Sequence, residues 1–249
     1  MKRRAVASTA CRIGRTGVIG FPPRIQTGPG GGFPVSWFWS VDRGGWAARP
    51  LIAGIPSTTV PGMKFILVGT AYPMRGGIAH YVHLLAHTLA QRGHEVKVLS
   101  FSRQYPSFLF PGKTQDDESP PAYPVDAHPL IDTINPLSWY AAARWAAAEK
   151  PDLTVFKYWM PFFAPAYDTI VRHLKRRAAG RTCFLLDNVI PHEKRPGDLW
   201  LTRRVLAPVD TFIAQSAVVR DDLLKFRPDA EFREIPHPVY SIFPPGHGR

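Results

Sequence analysis

The stretch 63–94, MKFILVGTAYPMRGGIAHYVHLLAHTLAQRGH, constrains the fold more than any other part of this chain. Phe65, Ile66, Leu67 and Val68 form a short apolar run. It ends in a loop closed by Gly76-Gly77, and a strongly amphipathic helical pattern follows. That order is strand, glycine turn, helix. In an open parallel sheet such a turn lies at the carboxyl end of the first strand, where ligands bind. The next helix offers backbone N–H groups and a partial positive charge there, which suit a phosphate. Gly76 and Gly77 carry no Cβ, so a ligand can approach the backbone closely.

The alternation continues along the chain. Strands are predicted at 64–69, 95–100, 152–158, 181–187 and 210–214, with a shorter one at 231–235. Helices are predicted at 77–92, 136–149, 162–178, 197–206 and 216–226. Strands alternating with helices of this length indicate βαβ units. The expected fold class is α/β, a Rossmann-like parallel sheet with helices on both faces. At about 100° per residue, Ile78, Tyr81, Val82, Leu85 and Leu89 share one stripe of the first helix, and His80, His83 and His87 lie opposite. Gly93 ends that helix. Residues 101–130 read as a long irregular insertion rich in proline, with an acidic cluster at Asp116, Asp117 and Glu118.

Charge divides the chain. Residues 1–62 carry eight Lys/Arg and one acid, Asp42, for a net +7, whereas residues 63–249 carry only +5 of the total of +12. The first segment shows no sustained periodicity, contains GPGGG and several prolines, and lacks the apolar region of a secretory signal. It reads as a disordered extension arising from a misassigned start codon, with Met63 as the natural first residue; a genuine disordered tail is the alternative. The mildly basic remainder fits anionic lipid or nucleotide partners and does not demand nucleic acid. No apolar run approaches the roughly 18–20 residues of a membrane span. Cys11 and Cys183 are too few for a disulfide framework or a cysteine zinc site, so a reducing cytoplasm is the simpler location.

Several constellations invite chemistry. The three helix histidines share a face, but no carboxylate joins them at zinc-protease spacing, so a solvated face is expected and no metal. Gly112-Lys113-Thr114 mimics the end of a phosphate-binding P-loop, but Ser107 stands where the leading glycine belongs, and bulky residues fill the loop. The spacing in Gly69–Gly77 also fails the dinucleotide pattern of a dehydrogenase. Asp187-Asn188-Val189-Ile190-Pro191-His192-Glu193 is stronger. It follows an apolar strand and precedes a helix, on the sheet edge that carries Gly76-Gly77. Asp187, Asn188, His192 and Glu193 can bind sugar hydroxyls and assist proton transfer; a capped, satisfied loop is the plainer reading. On the same edge Tyr158 and Trp159, in YWMPFF, offer aromatic faces for a sugar or a lipid, with core packing as the alternative. Three loops converging on one edge favour a ligand site. The residues alone stop at a nucleotide- or sugar-handling α/β domain.

From Met63 to about Phe243 the chain resembles the N-terminal domain of family-4 glycosyltransferases of the GT-B architecture. The resemblance rests on GTAYPMRGG, FSRQYPSFLFPGKTQ, KYWMPFFAP, DNVIPHEKRPGD, and VDTFIAQS followed by PHPVY. It implies one half of a two-domain fold whose N-terminal domain, 63–243, mainly contacts the acceptor. It also implies that Gly76 and Gly77 abut the donor diphosphate, that Arg75 contacts acceptor or phosphate, and that the DNVIPHE loop lines the reaction centre. A histidine is common in the family where Asp187 stands, so the matching role is open between Asp187 and His192. The activity implied is retaining transfer from a nucleotide-sugar to a glycan or lipid-linked acceptor, without metal or cofactor, in cell-surface polysaccharide synthesis. The location implied is cytoplasmic, with peripheral contact at the inner membrane face. Family members continue into a donor domain with a Glu-(seven residues)-Glu motif. Here residues 244–249 form a short tail where that domain would begin. A truncated gene product is therefore expected, and a non-catalytic binding module is the rival reading.

Overall fold

The computed structural model describes residues 37–42, 45–50, 62–106, 123–191 and 195–237. Trp37–Asp42 (β1) and Gly45–Pro50 (β2) pair as an antiparallel hairpin, from Trp37↔Pro50 to Asp42↔Gly45. A paired element thus sits inside the segment expected to be a disordered extension. WFWSV is rich in strand-favouring residues, which local pairing can use without an alternating polar pattern. The rest of residues 1–61 lies outside the described residues.

The main unit runs β3 (Lys64–Val68), α1 (Gly77–Gln91), β4 (Glu95–Arg103), β5 (Ala127–Asp132), α2 (Pro136–Ala148), β6 (Leu153–Tyr158), a 3-10 turn (Pro161–Phe163) and α3 (Ala164–Arg176). It continues with β7 (Arg181–Leu186), α4 (Asp198–Leu206), β8 (Thr211–Ala214), α5 (Ala217–Phe226) and β9 (Phe232–Glu234). Seven parallel strands lie in the order β5-β4-β3-β6-β7-β8-β9. The order reverses between β3 and β6, and such a reversal opens a crevice at the strands' carboxyl ends. The Rossmann-like α/β fold is therefore present.

Both sheet faces are covered, which is why the strands read as apolar runs and not as alternating patterns. Phe65, Leu67, Val98, Val155, Cys183 and Leu185 pack beneath Val82 and Ala86 of α1. On the opposite face Ile66, Val68, Phe156, Tyr158, Phe184 and Phe212 pack with Ala142, Tyr167, Val205 and Leu223, contributed in turn by α2, α3, α4 and α5. Two helix starts follow their local chemistry. Asn135 accepts a hydrogen bond from Leu137 N–H at 3.1 Å before Pro136, and Ser216 accepts one from Val219 N–H at 3.3 Å.

Two expectations need correction. The proline-rich insertion is shorter than 101–130, because β4 runs on to Arg103 and Ala127–Asp132 forms β5. Pro129 obscured β5, yet a proline is tolerated there because β5 is an edge strand. The buried side of α1 comprises Ala79, Val82, His83 and Ala86, while Ile78, Tyr81, Leu85 and Leu89 are only half-buried. The histidine side is therefore no solvated face. Tyr123, at the end of the insertion, covers it and stacks on His87 with ring centroids 4.5 Å apart.

Gly180 leads into β7 with φ +71, and a Cβ there would lie 2.1 Å from the Pro151 carbonyl oxygen. Gly180→Ala should destabilise the unit by about 2 kcal/mol or more, from left-handed strain plus backbone overlap. Urea unfolding of the two chains checks this, and equal midpoints would contradict it.

Candidate active site

The carboxyl ends of the central strands meet side by side. Tyr158 pairs with Leu186, and Leu186 with Ala214, so Trp159, Asp187 and Gln215 begin three neighbouring loops. Backbone bonds tie them together, from Asp187 N–H to Tyr158 O at 2.9 Å and from Gln215 N–H to Leu186 O at 3.3 Å.

Strand alternation sends Lys157, Asp187 and Gln215 to the α1 face, two residues beyond Val155, Leu185 and Ile213 of the same face. Lys157 Nζ donates to Asp187 Oδ1 and, at 2.9 Å, to Gln215 Oε1. It also lies 3.9 Å from the centroid of the Tyr81 ring on α1, a cation–π contact. Only 3% of the Lys157 side chain is exposed, against 22% for Asp187. Burial pushes the Lys157 ammonium below its usual pKa, and the Asp187 carboxylate opposes that shift. Gly69 makes room for this lysine, since a Cβ there would lie 3.2 Å from Lys157 Cβ and 3.1 Å from Val82 Cγ2. Lys157 is not among the site residues expected from the sequence. A lone cation inside the apolar run LTVFKY of a central strand was the available signal.

The β3–α1 loop is braced from below. Thr70 Oγ1 donates to Gln104 Oε1 at 3.2 Å, and Ser100 Oγ accepts from Ala71 N–H at 3.0 Å. His83, 6% exposed, accepts from Tyr72 N–H through Nε2 at 3.0 Å. Because Nε2 accepts, the ring is neutral with its proton on Nδ1, which lies 2.8 Å from Tyr123 O and donates to it. Burial lowers the His83 pKa. Above the loop Gly76 takes φ +125, and a Cβ at Gly76 or Gly77 would meet nothing within 4 Å. The first turn of α1 holds no acidic residue, and Gly76 supplies no capping side chain. Space and positive potential thus coincide at this turn. Arg75 is exposed beside it.

The His83 arrangement makes stability depend on acidity. The unfolded imidazole titrates near 6.5, above the lowered folded value, so acid protonates the unfolded chain first. Stability should hold above about pH 6.5 and fall as the pH drops below it. His173, whose pKa is also lowered, acts in the same sense. Chemical denaturation across this range should show a shallower acid loss for His83→Gln than for the parent chain. Parallel curves would argue against the assignment.

The remaining expected residues divide. Asp187 joins the network, and Asn188 stands half-buried next to it. Tyr158 is fully buried in the core, 5.6 Å from the Phe184 ring, with its hydroxyl 3.4 Å from Thr202 Oγ1. Its ring is a core element and offers no stacking surface, because strand alternation turns it away from α1. Trp159 is half-buried in an aromatic group with Phe101, Phe163 and Tyr105, whose hydroxyl accepts from Trp159 Nε1 at 3.4 Å. His192 and Glu193 lie outside the described residues, as does Gly112-Lys113-Thr114.

Several solved structures resemble this chain at low sequence identity. The catalytic domain of starch synthase IV from Arabidopsis thaliana, bound to ADP and acarbose, is 14% identical over 71% of this chain and 52% of its own, with TM-score 0.43. UDP-N-acetylglucosamine 2-epimerase from Rickettsia bellii is 12% identical over 70% of this chain and 44% of its own, with TM-score 0.45. LpCGTa in complex with UDP is 11% identical over 72% and 54%, with TM-score 0.44. This chain therefore spans about half the length of those it matches. No curated protein matches. The family profile of Glycosyltransferase Family 4 matches residues 75–240, two thirds of the chain and the part that carries the sheet edge just described, and the chain belongs to that family.

Proposed function

We propose that this chain is the acceptor-side half of a retaining glycosyltransferase. It would move a sugar from a nucleotide-sugar to a glycan or lipid-linked acceptor in cell-surface polysaccharide synthesis. The observation that carries the reading is the first turn of α1, where open space at Gly76-Gly77 meets a helix N-terminus at the sheet's switch point. The departing diphosphate would lie against that turn, with Arg75 adding positive charge and no metal required. His192 is assigned the acid–base or hydrogen-bonding role at the sugar. Asp187 is assigned a positioning role, because its carboxylate already serves Lys157. Asn188, Glu193 and Trp159 would complete the acceptor pocket. No helix among the described residues is long and apolar enough to cross a membrane. The proposed location is the cytoplasm, with peripheral contact at the inner membrane face.

The test is a transfer assay with a panel of nucleotide-sugars, the donor half being present on the same polypeptide or supplied in trans. Transfer that falls on His192→Ala while folding is kept supports the reading. Acceptor binding without transfer from any donor would establish the rival, a non-catalytic binding module.

A further inference from the structure

A second cleft, of about 1020 Å³, opens at the other edge of the sheet, where α2 and α3 end and β6 and β7 begin. Six basic side chains line it (Arg144, Lys150, His173, Lys175, Arg177 and Arg181) against one acid, Asp152. The acids in reach are already engaged. Asp152 accepts from Lys64 N–H at 2.7 Å, Asp210 pairs with Lys175, and Glu231 pairs with Arg181 at 3.0 Å. Glu149, at the end of α2, turns to Lys64 at 2.7 Å and Lys97 at 2.8 Å. Arg144, Lys150, His173 and Arg177 are left without an acidic partner among the described residues.

The His173 imidazole registers this field, for its pKa is lowered first by burial and then by Arg177, Arg176 and Arg144. A helix C-terminus attracts a cation by its dipole. That ordinary effect accounts for one basic residue at the end of each helix, but not for convergence from several elements on one cleft. Lys150 and Ala178, the described non-glycine residues with positive φ (49° each), both line the cleft. Each is the left-handed residue that closes its helix, with Lys150 N–H bonded to Ala147 O at 3.2 Å and Ala178 N–H to Lys175 O at 3.1 Å, so both helix ends turn sharply into the cleft wall.

We propose that this cleft binds a phosphate-bearing anion, at a site separate from the candidate active site. The cations would replace the ligand's hydration with charge-assisted hydrogen bonds. The inference does not depend on the glycosyltransferase reading.

Histidine NMR of the full chain, titrated with inorganic pyrophosphate, tests it. A bound anion reverses the field at His173, so its pKa should rise. Calorimetric affinity for pyrophosphate should fall about tenfold in Arg144→Gln/Arg177→Gln, roughly the loss of two exposed charge contacts. Vesicles of phosphatidylglycerol, with phosphatidylcholine as control, separate the sources. If they move the His173 signals, the ligand is a lipid headgroup; if pyrophosphate alone does, it is a free phosphate compound. Pyrophosphate binding that survives the double substitution and leaves His173 unmoved belongs elsewhere on the chain and overturns the proposal, as does no binding of either probe. The parent-chain titration decides the matter even if the double variant folds poorly.

Discussion

Asp187→Ala should destabilise the main unit by about 3 kcal/mol, on the order of 10 °C in melting temperature for a unit of this size. The reason is what remains behind. Lys157, 3% exposed, keeps Gln215 Oε1 and the Tyr81 ring but loses the only anion paired with it among the described residues. A buried ammonium without a counter-charge lowers its pKa further or unfolds the site. The sign with pH follows. Since the folded Lys157 pKa lies below the unfolded one, alkali removes its proton from the folded chain first, and stability rises with pH through that interval. In Asp187→Ala the interval starts at lower pH, so the variant's deficit should shrink as the solution is made alkaline. The double variant Lys157→Met/Asp187→Ala should recover most of the loss, because removing both charges leaves nothing to desolvate. Thermal melts of the three chains over a pH series check this. A single variant as stable as the parent at neutral pH would show that Asp187 is dispensable to the network.

Gly77→Val should lower donor-dependent turnover by about 10² or more while the melting temperature stays within a degree or two. A Cβ at this position meets nothing within 4 Å, so the folded chain accommodates valine. Valine also propagates a helix slightly better than glycine. Its methyl groups would occupy the space in which the proposed diphosphate approaches α1. Gly76 is a poorer probe, because φ +125 strains any L residue and mixes stability with activity. The measurement is steady-state transfer with the donor half present, alongside calorimetry of folding. Undiminished turnover would remove the first turn of α1 from the active site and with it the main support for the proposed chemistry.

The parts legible beforehand share a cause. Element order, the parallel sheet and the glycine turn follow from local hydrophobic pattern and backbone chemistry, which a sequence displays directly. The edge strand β5 was hidden because Pro129 speaks against a strand unless one knows that the strand lies at the edge. His83 was misjudged for a related reason. On a helical projection it faces away from the main apolar stripe, and only the return of Tyr123, forty residues later, turns that side into an interior.

By itself, then, the sequence determined the fold class, the strand ends that form the candidate site, and the absence of a Cβ at Gly76 and Gly77. Those properties depend on residues near one another along the chain. Tertiary structure alone decided which polar groups meet there. Lys157, Asp187, Gln215 and Tyr81 come from three strand ends and a helix, up to 134 positions apart in number, and no periodicity announces that they share one charge. The same holds for Tyr158, whose place in the core and not in the pocket follows from the parity of its strand. Side-chain identity is local, but desolvation and pairing depend on neighbours that only the folded sheet brings together.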